Sequence, residues 1–173
     1  MSFLNKLGKE ILFFDGGMGT LLQAAGMPAG AIPELYNKEN PELILNIHRD
    51  YLKSGANIIK TNTFGANPIK LSDAPYSSDE LIKAGVSIAR NACRDFKDSY
   101  VALDVGPSGK LLKPVGDLSF EDAVKSFALM VKSGKDADLI LIETMSDIYE
   151  TKAALLAAKE NSNLPVVVTL FFD

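Results

Sequence analysis

The residues best placed to do chemistry in this sequence are acids and polar groups that close short apolar runs. Asp15 follows Ile11-Leu12-Phe13-Phe14, Asp104 sits near the end of Tyr100-Val101-Ala102-Leu103, Glu143-Thr144 follows Leu139-Ile140-Leu141-Ile142, and Asp173 lies near the end of a run starting at Val166. Thr61-Asn62-Thr63 closes another run, Ile58-Ile59-Lys60. If these runs are parallel strands, their C-terminal ends share one face, and the polar groups converge above an apolar sheet. Such a rim suits a small ligand carrying a cation and hydrogen-bonding groups. A single acid after a strand also reads as a helix N-cap or a loop brace. Convergence from several strands is what points to a site.

Asp15-Gly16-Gly17-Met18-Gly19-Thr20 adds a second chemistry. Glycines after a buried strand let backbone N–H groups approach an anion such as a carboxylate. A tight turn explains the same composition. The segment is not a dinucleotide fingerprint, because Leu22 stands where the third glycine belongs. Gly106-Pro107-Ser108-Gly109-Lys110 is not a P-loop, because Asp104 and Leu111 break the pattern. His48 falls in a helix, on a wet or partly buried face, and reads as structural. Cys93 falls in a helix near Ala89 and Ala92 and reads as core packing. One cysteine and one histidine do not supply a closed four-ligand zinc site. No Ser-His-Asp or Cys-His set is visible.

The elements that must position these groups alternate regularly. Strands are expected at 11–14, 58–63, 100–105, 139–143 and 166–171. Asn40 before Pro41 starts a helix that Gly55 ends. Ser77 with Glu80 makes a capping box for the next helix. Ser119 opens a third helix, to about Lys132, and Asp147 with Glu150 opens an alanine-rich fourth, to about Asn161. Strands alternating with long helices imply parallel pairing through crossovers. The near-continuous apolar runs agree, since parallel strands are covered on both faces. Longer irregular stretches at 26–40, 65–77 and 106–117 each follow a strand's C-terminal end.

Composition sets the outer limits. The chain has 173 residues, 47% hydrophobic and 23% charged, with a formal net charge of −4, which describes an ordinary globular domain and not a disordered or disulfide-stapled one. The acidic balance argues against nucleic acid as a partner. No apolar run approaches the ~20 residues of a membrane span or the length of a secretory h-region, so no membrane partner and a cytoplasmic setting are expected.

Five motifs in order carry a resemblance: Asp15-Gly16-Gly17-Met18-Gly19-Thr20, the Pro41-Glu42 helix ending Ser54-Gly55-Ala56, Thr61-Asn62-Thr63-Phe64-Gly65-Ala66-Asn67, Gly106-Pro107-Ser108-Gly109, and Glu143-Thr144-Met145-Ser146-Asp147. Together they resemble the homocysteine S-methyltransferase family, in the form of its cobalamin-dependent branch. The resemblance implies a (β/α)8 barrel, of which residues 1–173 would be a single partial domain. That domain would hold five strands, about half of the barrel, and lack the C-terminal ones. It implies methyl transfer from methylcobalamin to the zinc-bound thiolate of homocysteine, giving methionine. The family's zinc cysteines lie on later strands and have no counterpart here, so no zinc or cobalamin is expected on this chain, which should be inactive alone. Carried over, Asp15 and Glu143 would hold the substrate ammonium. Backbone N–H groups of Gly16, Gly17, Gly19 and Thr20 would take the carboxylate, and Asn62 and Thr63 would line the pocket. Folate- and cobalamin-binding modules are the implied partners. Unpaired apolar edges at 11–14 and 166–171 imply a homo-oligomer. The alternative is a self-contained flavodoxin-like doubly wound sheet, a binding or signalling module with strand order 2-1-3-4-5.

Overall fold

The computed structural model describes residues 3–172, so Asp173 lies outside the described residues. The helix starts follow the sequence. Asn40 Oδ1 accepts from Leu43 N–H (3.3 Å) to open α3 (Pro41–Lys53). α4 (Ser78–Cys93) opens with a complete capping box, in which the Glu80 carboxylate accepts from Ser77 N–H at 3.0 Å. Ser119 caps α5 (Phe120–Ser133), and Asp147 Oδ1 accepts from Tyr149 and Glu150 N–H to cap α6 (Ile148–Asn161). Such caps contribute about 1 kcal/mol each.

Four strands form one parallel sheet: β1 (Ile58–Lys60), β2 (Tyr100–Val105), β3 (Leu139–Met145) and β4 (Val166–Leu170), in the order β1-β2-β3-β4. This is the sequential order expected of a barrel-type arrangement. The doubly wound alternative would insert residues 11–14 between β1 and β2. Instead β1 pairs directly with β2, Ile58 opposite Tyr100 and Lys60 opposite Ala102. The layering agrees. Ile59, Val101, Leu103, Ile140 and Ile142 point to one face and pack with Leu81, Phe127, Met130 and Ala157 from the crossover helices. The opposite face carries Ile58, Tyr100, Ala102, Leu139 and Leu141, closed at one end by Phe3, whose ring meets Tyr100 edge-on at 6.0 Å. A doubly wound sheet places helices on both faces; here α4, α5 and α6 lie on one.

Three expected boundaries change. Residues 11–14 do not form a strand: Phe14 makes a single parallel bridge to Ile58, while Phe13 C=O accepts from Asn57 and Ile58 N–H. Leu12 packs against the sheet, but Ile11 is 82% exposed and Phe13 60%, so only one face of this segment is covered. Residues 61–63, expected in the second strand, lie past its end: Thr61 N–H still donates to Ala102 C=O at 2.9 Å, but Thr63 N–H turns back onto Thr61 C=O at 2.8 Å. The glycine turn hides a helix, α1 (Met18–Ala24), and the stretch after it holds a 3-10 turn (Pro33–Leu35) and the short α2 (Tyr36–Glu39). Among the described residues no helix is long and apolar enough to cross a membrane.

His48 is not on a wet face. It is fully buried in α3, and neither ring nitrogen has a hydrogen-bond partner. Burial lowers its pKa to about 4. The unfolded chain therefore takes up this proton first as pH falls from the ordinary ~6.5, and the fold loses stability through that window. Against a His48→Leu variant, the wild-type chain should lose about 2 kcal/mol more between pH 7 and pH 5. Urea unfolding of both chains at the two pH values measures it.

Candidate functional site

A cavity of about 290 Å³ opens at the C-terminal ends of the strands. Strand alternation builds its floor. Ile58, Ala102 and Leu141 fill the sheet face below, and Lys60, Asp104 and Glu143 are the next residues of that face along their strands. Asp15 joins them from the bridge at Phe14, held by Lys60 N–H donating to its Oδ2 at 3.0 Å. Glu34, from the 3-10 turn, closes the far side and accepts from Gly65 N–H at 2.6 Å.

The electrostatics are those of crowded, desolvated carboxyls. Burial raises the Asp15 pKa to about 7, against the opposing pull of the Lys60 N–H bond and the Lys60 charge. Burial, with Glu143 nearby, raises Asp104 well above the usual range, and burial also raises Glu34. Asp15 Oδ1 and Asp104 Oδ1 are buried without a hydrogen-bond partner. Lys60 Nζ lies 3.3 Å from both Glu143 oxygens. Burial works against its charge, but the Glu143, Asp104 and Asp15 carboxylates outweigh it and raise the Lys60 pKa. Buried acceptors without donors are costly, by about 1–3 kcal/mol each. They are where a ligand's ammonium would gain most.

Backbone geometry aims two of these groups. The β3–β4 register slips between Ile142 and Met145, so Glu143 and Thr144 form an irregularity at the strand end. Thr144 has φ 59°, unusual for a β-branched residue, and its N–H donates to Thr169 Oγ1 at 3.0 Å. Bulges of this kind re-aim side chains beside sites. On the opposite wall, Phe64 lies against Gly106, whose N–H donates to Phe64 C=O at 3.0 Å. A Cβ on Gly106 would stand 2.5 Å from the Phe64 ring.

Of the expected site residues, Asp15, Gly16, Gly17, Gly19, Asn62 and Glu143 line the cavity. Gly16 has no room for a side chain, since a Cβ would meet the Tyr51 hydroxyl at 2.7 Å; that hydroxyl donates to Gly17 C=O. Gly17 is the N-cap of α1 with no side-chain cap, which leaves first-turn N–H groups without a side-chain acceptor. Thr20 is off the cavity wall, its hydroxyl donating back to Gly17 C=O at 3.2 Å. Asn62 braces the neighbouring turn through Pro33 C=O (2.8 Å) and Asn37 Oδ1 (3.0 Å). Thr63 also lies off the wall. Its hydroxyl donates to Asp104 C=O (2.8 Å), so Thr61, 2.6 Å away, donates to Thr63 while accepting from Asp104 N–H. Lys60, Glu34 and Phe64 are cavity residues that sequence reasoning misses. For Lys60 the signal is present: it stands two residues after Ile58, on the same side of the strand.

A thiolate zinc site does not fit the described residues. They hold no group of three or more His, Cys, Asp and Glu able to ligate a metal. Cys93 ends α4, half-buried, with burial raising its thiol pKa, and His48 is enclosed in α3. Neither residue lines the cavity.

The chain is thus an α/β protein with its crossover helices on one face of a parallel sheet and an acid-lined cavity at the strand ends, where parallel α/β folds carry their sites. The sequence profile of the homocysteine S-methyltransferases matches residues 12–173, and the chain belongs to that family. Methionine synthase of Mycobacterium tuberculosis (strain ATCC 25618 / H37Rv) is 33% identical over 171 residues, covering 90% of this chain and 14% of that protein. Methionine synthase of Mycobacterium leprae (strain TN) is 32% identical over the same shares. Among solved structures, the oxidized form of the homocysteine methyltransferase MmuM from Escherichia coli superposes with a TM-score of 0.81 at 25% identity, over 97% of this chain and 64% of that one. Its metallated form gives 0.78 at 27% identity, over 92% and 64%. The chain thus spans 14% of the length of these curated relatives and under two thirds of the solved ones.

The raised Asp15 pKa has a sign that stability measurements read. The folded state holds this proton up to about pH 7, the unfolded state only to the usual 3.8. Stability is therefore lost as pH rises between those values. Asp15→Asn keeps an oxygen for Lys60 N–H and removes the titration. Its stability relative to wild type should rise by about 2.5 kcal/mol between pH 5 and pH 8, measured by denaturant unfolding.

Proposed function

We propose that the cavity grips the amino-acid end of homocysteine, and that the chain is the N-terminal, substrate-binding part of a (β/α)8 barrel that methylates homocysteine sulphur. The observation that carries this reading is the convergence of Asp15, Asp104 and Glu143 on one cavity, two of them with a buried unpartnered oxygen, in a chain of this family. The ligand ammonium sits among these carboxylates. Its carboxylate meets the N–H groups at the Gly17 turn, and Asn62 and Phe64 shape the wall. In the complete enzyme, zinc held by residues beyond the described ones would supply the activation of the sulphur, and methylcobalamin on another module would supply the methyl group. The cavity residues orient the substrate and hold its charges. They do not supply the sulphur's activation, so the chain alone is inactive. Sequential strand order and one-sided helices support the half-barrel.

Glu143→Gln should weaken homocysteine binding about 10-fold or more, the value of a hydrogen bond to a charged group. Calorimetric titration of both proteins checks it, and equal affinities would assign Glu143 to structure.

A half-barrel leaves apolar surface in water. Ile11, Phe13, Phe171 and Phe172 are all more than half exposed, and β4 is the sheet's edge. The chain is expected to self-associate through these edges. Light scattering across a dilution series should show a mass above 18.6 kDa at micromolar concentration; a stable monomer counts against the half-barrel.

A further inference from the structure

Among the described residues, Lys60 is the only cationic side chain on the cavity wall. Its root is fixed, since its own N–H donates to Asp15 Oδ2. Its head is loosely held: the Lys60 and Glu143 side chains are mostly buried, 20% and 19% exposed, yet Nζ stands 3.3 Å from each Glu143 oxygen, long for charge-assisted bonds. A lysine ammonium is a compact charge with three donors on a flexible stem, chemically the same head group as the ammonium of an amino acid. Glu143, a partly exposed acceptor of the cavity, is thus already occupied by a cation the protein carries itself. Asp15 Oδ1 and Asp104 Oδ1 remain unpartnered beneath it.

We propose that Lys60 is a tethered competitor for the cavity's ammonium site, resting on Glu143 while the cavity is empty and giving way when a ligand's ammonium enters. This rests on the amino-acid reading of the cavity given above. The wild-type affinity is then a net value, the ligand's ion pair less the one it displaces. Lys60 also holds the Glu143 carboxylate in place between ligands. It selects against weakly held amines, which must break an existing pair to bind.

The test titrates wild type and Lys60→Met with L-homocysteine and with 4-mercaptobutyrate, which has the same thiol and carboxylate but no ammonium. Lys60→Met should bind homocysteine about five- to tenfold more tightly, the worth of a partly exposed ion pair, and 4-mercaptobutyrate no more tightly. Weaker or equal binding of homocysteine overturns the proposal and makes Lys60 an anchor for the carboxylate or a structural pair. Tighter binding of both ligands also overturns it. If neither protein binds homocysteine, the amino-acid reading itself fails. A second measurement needs no variant: in wild type labelled at lysine side chains, homocysteine should shift the Lys60 Cε and Nζ signals and 4-mercaptobutyrate should not. Unmoved signals at saturating homocysteine overturn the proposal.

Discussion

Parallel strands cannot be joined by tight turns, and this constraint organises the whole molecule. Each strand must be followed by a long return, and the returns α4, α5 and α6 all lie on one face of the sheet. Every strand then ends on the same rim, and side chains of the uncovered face are carried toward one another there. Asp104 and Glu143 meet because β2 and β3 are adjacent and parallel. Lys60 reaches Glu143 from β1, across β2. Close packing on the helix side holds this geometry. Ala153, Ala154, Ala157 and Ala158 are buried in α6, and a Cβ on Gly134 would strike Leu103.

The rim concentrates negative charge where water is scarce. Lys60 balances part of it, burial raises the proton affinity of Asp15 and Asp104, and a backbone N–H holds one Asp15 oxygen. Buried carboxyl oxygens without donors and raised carboxyl pKa values of this kind cluster at functional sites more than in structural cores. His48 is a separate burden of the opposite sign: a buried base that prefers to stay neutral.

Local chemistry was legible in the sequence. The Asn40–Pro41 start, the Ser77–Glu80 box and the Asp147 cap are decided within a few residues and stand where expected. Asp15 and Glu143 were legible as strand ends and line the cavity. What depends on partners far along the chain was not. Residues 11–14 have a strand's composition, but a ladder needs cover and a second neighbour, and Phe14 finds one bridge. His48 could not be placed on a face until α3 was packed into the fold, where it is fully buried. Lys60 looks like a solvated rim residue until β1 is set in register with β2, which turns it inward beside Glu143.

Gly106 shows how a cavity can be measured from behind. The residue is absent from the cavity wall, yet the missing Cβ lets the Phe64 ring settle against its backbone. Any larger residue would have to displace that ring, and the ring is wall. The position therefore acts as a gauge block: it sets the width of the opening without meeting what passes through. A change there would alter the width of the cavity while every residue lining it kept its identity.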